Sequence, residues 1–196
     1  MWKGATVKPI NETTVREFCE HMEQSLDTRI LDPNSPFIRL IGMVLELIGV
    51  DAVEKVIDAW LARWSISLRK FIYVPFNPGV ATTRFPLWLQ VEVLSHEFTH
   101  AYWQQRMRRW FSKYIGRQSF RAAEEIKAFK TQMEVAHAFG RTLEASRCVE
   151  ILKKSYLLNN LNLYITNRHL KKYQRYVKKG YISQPVTKIV ADFWGF

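Results

Sequence analysis

His96-Glu97-Phe98-Thr99-His100 is the stretch around which the rest of this chain has to be arranged. It reads H-E-x-x-H. On a helix, side chains at i and i+4 stack on one face, so both imidazoles can grip one metal ion. Glu97 lies about 100° round the axis from His96, close enough to reach water at the metal without being a ligand. Two His ligands, a third protein ligand and an open position make the arrangement of a metal-dependent hydrolase, with zinc as the expected ion. The segment is apolar around Phe98, Ala101 and Tyr102, where unpaired polar side chains are costly.

Working outward, Phe71-Ile72-Tyr73-Val74 is short, β-branched and aromatic, and Asn77-Pro78-Gly79 is a turn signal. Val80-Ala81-Thr82-Thr83-Arg84-Phe85 is expected to return as a second strand, which makes residues 71–85 a hairpin. Pro86 suits the first turn of the helix that carries the motif, predicted to run to about Arg109. A further helix is predicted from about Ser119 to Phe139, and the remainder is mostly helical. Upstream, Asn11-Glu12-Thr13-Thr14 caps a helix running to about Leu26. A loop at Asp32-Pro33-Asn34-Ser35-Pro36 precedes a helix from Phe37 to Ile48, stopped by Gly49. Asp51 and Glu54 open a third helix with Val53, Val56, Ile57, Trp60, Leu61 and Trp64 on one face. The fold class is therefore α+β, predominantly helical. It is read as one domain of 196 residues, with an N-terminal helical part (1–66), a core (71–139) and a basic helical part (140–196).

A content of 47% hydrophobic and 14% aromatic residues suits a buried core and excludes disorder. The longest apolar stretch, Phe37 to Val50, is broken by Arg39 and Glu46 and falls short of the roughly 20 residues of a membrane span. With no secretory signal visible and two unpaired cysteines, Cys19 and Cys148, the expectation is a cytoplasmic protein with reduced, partly buried thiols. The net charge of +11 lies entirely after the motif: residues 1–100 carry 10 basic and 12 acidic residues, residues 101–196 carry 19 and 6. Its clusters are Arg106–Arg109, Lys153–Lys154, Lys171–Lys172 and Lys178–Lys179. An anionic partner, nucleic acid or an acidic protein, is one reading. Solvation of outer helix faces is the favoured one, since no aromatic-basic recognition motif accompanies the charge.

The third ligand follows by elimination. The extended metzincin form needs Gly and His at the third and sixth positions after His100, where Trp103 and Arg106 stand. A proximal histidine of the SprT kind is absent, the next being His137. A glutamate on the following helix remains. With Ala122, Ile126, Phe129, Met133 and Ala136 defining the buried stripe, Glu125 falls roughly 60° from its centre and Glu124 roughly 160°. Glu125 is thus the expected ligand, Glu124 an exposed acid at the helix start, and His137 a core residue.

The motif, followed 25 residues after His100 by Glu125-Ile126-Lys127-Ala128, resembles the minimal gluzincin metallopeptidases, which include phage- and mobile-element-associated proteases similar to ImmA. The resemblance covers about residues 71–139. It implies zinc on His96, His100 and Glu125, Glu97 as general base, a polypeptide substrate, and an edge strand in the 71–85 hairpin that pairs with it. Phe129 departs from the pattern, because many relatives carry Asn or Asp there to orient a histidine. The residue stabilising the oxyanion is open among Arg141, Tyr156, Tyr164, Arg168, His169 and Tyr173. The rival expectation is a structural or interaction protein on the same scaffold, a phage-particle or nucleoprotein component with the basic half as contact surface. The intact Glu97 speaks against it.

Overall fold

The computed structural model describes residues 7–31, 65–155 and 158–196. The expected helices at 37–48 and 51–64, and Tyr156, lie outside the described residues. Asn11 accepts from the Thr14 amide while the Thr14 hydroxyl accepts from the Asn11 amide, a reciprocal cap that starts α1 (Glu12–Leu26) as the sequence predicts. After α1 the chain enters β1 (Arg29–Leu31). β2 (Ile66–Leu68) and β3 (Phe71–Tyr73) complete a three-stranded sheet in the order β1-β3-β2. β3 is central, parallel to β1 and antiparallel to β2, with Ser67 opposite Ile72. α2 (Leu87–Arg106) carries the motif. A short α3 (Trp110–Gly116), α4 (Gln118–Ala138), α5 (Ala145–Ser155), α6 (Asn160–Val177) and α7 (Pro185–Trp194) follow. The described fold is predominantly helical with this one small sheet, in agreement with the α+β expectation. No described helix is long and apolar enough to cross a membrane.

The hairpin is not where the sequence signals put it. β3 pairs with the strand before it, through a turn in which Arg69 takes a left-handed conformation (φ 53°). Residues 80–85 form no strand. Fully buried Gln90 occupies the place a partner strand would have: its side-chain oxygen accepts from the Gly79 amide (2.9 Å), and its amide nitrogen donates to the carbonyls of Val80 (2.7 Å) and Phe85 (3.0 Å). One side chain thus satisfies the loop backbone that pairing was expected to satisfy. Gly79 is required there, because a Cβ would stand 2.6 Å from the Glu12 carbonyl oxygen and its φ is +78°.

Two hydrophobic clusters hold the helices. The first joins α1 (Val15, Phe18, Met22), the sheet (Ile72), α2 (Val91, Leu94, Phe98) and α7 (Val190, Trp194). The second joins α4 (Ala122, Phe129, Met133), α5 (Cys148, Leu152) and α6 (Leu170, Val177). Each large side chain so buried contributes about 1.5–3 kcal/mol. Both cysteines are free and buried. α2 belongs to the first cluster and α4 mainly to the second, and they pack directly on one another. The seam between them is bridged by a hydroxyl pair, Thr99 to Thr131 at 2.9 Å.

Candidate metal centre

The seam gathers the three donors that the sequence singles out. His96 and His100 are one turn apart on α2, with their Nε2 atoms 3.2 Å apart. Glu125 reaches across from α4: its Oε2 is 3.4 Å from His96 Nε2 and its Oε1 is 3.3 Å from His100 Nε2. All three residues are buried, and their donor atoms lie within 4.8 Å of one another. Glu125 Oε2 sits at ion-pair distance from His96 yet has no hydrogen-bond donor among the described residues. Two imidazole nitrogens and a buried carboxylate facing one another repel unless a cation or protons lie between them. The donor set of two nitrogens and one oxygen therefore fits a metal ion. Without one, burial disfavours the charged form of His100, but the Glu125 carboxylate outweighs that and pushes its pKa up to about 9. Burial likewise raises Glu125, yet the two imidazoles more than reverse this and hold it well below the usual carboxylate range.

The rings are fixed by packing. Neither Nδ1 atom has a hydrogen-bond partner among the described residues. Phe129 meets His96 edge to face with centroids 4.7 Å apart. Trp110 and Tyr114, stacked 4.4 Å apart on α3, flank His100 at 6.1 and 6.2 Å. The Tyr114 hydroxyl also donates to Glu125 Oε1. Sequence reasoning missed α3 altogether. The aromatic pair four residues apart at 110 and 114 was the available signal.

Glu124 corrects the helical phase argument. It was expected in solvent and is 1% exposed. It accepts from the Trp110 indole (2.9 Å) and from Lys127 Nζ (2.5 Å), so both its oxygens are engaged away from the histidines. The error has a physical source: α4 packs against α2, α3, α6 and α7, and a helix enclosed on several sides has no single buried face. His137 is half-buried and outside the donor group.

Glu97, 6% exposed, lies beside the donors on the wall of a cavity of about 520 Å³. The Ser67 hydroxyl is 2.7 Å from Glu97 Oε2 and 2.8 Å from the Glu97 carbonyl, a contact no sequence signal announced. His96, Phe85, Trp88, Phe129 and Arg141 also line the cavity. Among the described oxyanion candidates, Arg141 is the one found there. Its guanidinium lies over Trp88 and bonds Glu92 Oε1 at 3.0 Å. Tyr164, Arg168 and His169 are exposed on α6, and Tyr173 is bound to Glu134. The expected substrate-pairing edge within 71–85 also moves: β3 is internal to the described sheet, whose edges are β1 and β2, and the Ser67 carbonyl of three-residue β2 already accepts from Gln104 (2.7 Å).

Compared with family models, curated proteins and solved structures, the chain matches none of them.

Proposed function

We propose that the protein is a zinc-dependent metallopeptidase of the minimal gluzincin kind. The observation that carries this reading is the convergence of three buried donors, His96, His100 and Glu125, beside a non-ligating Glu97 on a cavity wall. Imidazole nitrogens with one carboxylate suit zinc and do not suit magnesium or calcium, which take oxygen ligands. Zinc, when bound, supplies a Lewis acid that polarises a carbonyl and lowers the pKa of water to about 7.

The remaining work belongs to the chain. Glu97 takes a proton on its carboxylate and returns it to the leaving amine. The Ser67 hydroxyl, donating to Oε2, holds that carboxylate in place. Arg141 puts a cation in the same cavity, available to negative charge developing on the substrate carbonyl. The apolar walls at Phe85, Trp88 and Phe129 receive a side chain and exclude water. Because β2 is short and partly engaged by Gln104, recognition rests more on this cavity than on strand pairing.

Cleavage of an unfolded polypeptide such as casein, stopped by a zinc chelator and restored by added zinc, is the expected activity. Glu97→Gln should retain zinc while losing a factor of about 10² to 10⁴ in rate. A variant that cuts as fast as the wild type would contradict the reading.

A further inference from the structure

From Ile151 to Ala191 the chain contains nine lysines and arginines and no aspartate or glutamate. α6 lies in the middle of this stretch. Its inner face, with Thr166, Leu170 and Val177, is buried as the helix packs on α4 and α5. At 100° per residue, Arg168, Lys172 and Arg175 fall on the opposite face, flanked by Lys171 and by Lys179 just past the helix end. All five are exposed. No carboxylate among the described residues forms an ion pair with any of them, whereas the neighbouring Lys178 is 3.8 Å from Glu144. Among the described residues the charge here is uncompensated, and it extends over roughly 16 Å of helix axis.

Tyrosines sit among the cations. Tyr164 and Tyr181 are more than 60% exposed, and Tyr176, 43% exposed, meets Tyr181 edge to face at 6.1 Å. Lys172 Nζ lies 6.0 Å from the Tyr176 ring. Exposed rings beside cations are what single-stranded nucleic acid uses, its phosphates on the cations and its bases stacked on the rings. A membrane surface is less well matched: apolar residues on the outer face stop at Leu161 and Ile165, while an in-plane helix needs an apolar stripe along its length. An acidic protein would engage the cations and leave the rings in water. We propose that the outer face of α6, with the turn that follows it, binds single-stranded nucleic acid, phosphates on Arg168, Lys171, Lys172, Arg175 and Lys179 and bases on Tyr164 and Tyr176.

The test is fluorescence anisotropy of a labelled oligothymidylate titrated with the full-length protein at several salt concentrations. Five phosphate contacts predict that affinity falls on the order of 100-fold between 50 and 200 mM salt. The triple variant Arg168→Gln/Lys172→Gln/Arg175→Gln should fall less than about tenfold over that range and bind more weakly throughout. Tyr164→Ala/Tyr176→Ala should weaken binding by about fivefold or more at an unchanged salt slope. Circular dichroism equal to the wild type confirms that each variant is folded; all five sites are exposed, and single-residue versions serve if a combination fails. The proposal is overturned by wild-type binding that is absent or insensitive to salt, by triple-variant binding equal to wild type, or by tyrosine substitutions without effect. Tighter binding to phosphatidylserine vesicles, to an acidic polypeptide or to a duplex of the same length than to the oligothymidylate would also overturn it.

Discussion

On α2 and α4, the carboxylates of Glu92, Glu97, Glu124, Glu125 and Glu134 are all buried, and each is met by a particular partner: Arg141, Ser67, Trp110 with Lys127, Tyr114, and Tyr173 respectively. Along the outer face of α6 the cations are exposed, and none of Arg168, Lys172 and Arg175 has an ion-pair partner among the described residues. Buried charge acts through position, because an unmatched carboxylate in a low-dielectric interior is costly and each group needs its own donor. Exposed charge acts through number, because water screens any single contact. The two regions therefore answer differently to substitution.

Glu134→Ala should give the largest effect on stability. This buried carboxylate accepts from Tyr173 and from the Ser183 amide (2.7 Å) in the loop before α7, so its loss leaves partly buried donors unmatched and frees that loop from α4. The expected cost is about 3 kcal/mol in urea unfolding. A cost below about 1 kcal/mol would mean that burial alone does not make these carboxylates specific. Glu124→Ala comes next, at about 1–3 kcal/mol, since the buried Trp110 indole loses its acceptor while Lys127 can turn to solvent. Lys172→Gln and Arg175→Gln should each change stability by no more than about 0.5 kcal/mol. A larger loss would show that the outer face of α6 supports the fold, and the contrast would dissolve.

The candidate donor group was largely legible because its geometry is written in local spacing. His96 and His100 one turn apart fix two donors without knowledge of tertiary structure, and the position of Glu125 relative to Phe129 and Met133 was enough to aim it at the seam. Glu124 was misread because the same phase argument assumes one buried face, and α4 is enclosed on several. The hairpin was misplaced because β-branched residues at 80–85 look like a strand wherever no partner is known. The side chain that replaces the partner, Gln90, lies on the next helix. Ser67 gave no signal, since its role exists only once β2 is folded against the motif helix, and the spacing of Trp110 and Tyr114 signalled a helix but not the bond from Tyr114 to Glu125. The basic half was read as solvated because its charge matches no known recognition motif, although tyrosines and cations alternate through residues 171–181; helix geometry adds that Arg168, Lys172 and Arg175 share the exposed side of α6 with Tyr164 and Tyr176.

Metal content tests the central claim most directly, and the two adjacent glutamates supply the control. Elemental analysis of the purified wild-type protein should give about one zinc per chain. His96→Ala, His100→Ala and Glu125→Ala should each lower that content sharply, while Glu124→Ala, one residue away and equally buried, should keep it. Full zinc in Glu125→Ala, or no stoichiometric metal in the wild type, would contradict the account.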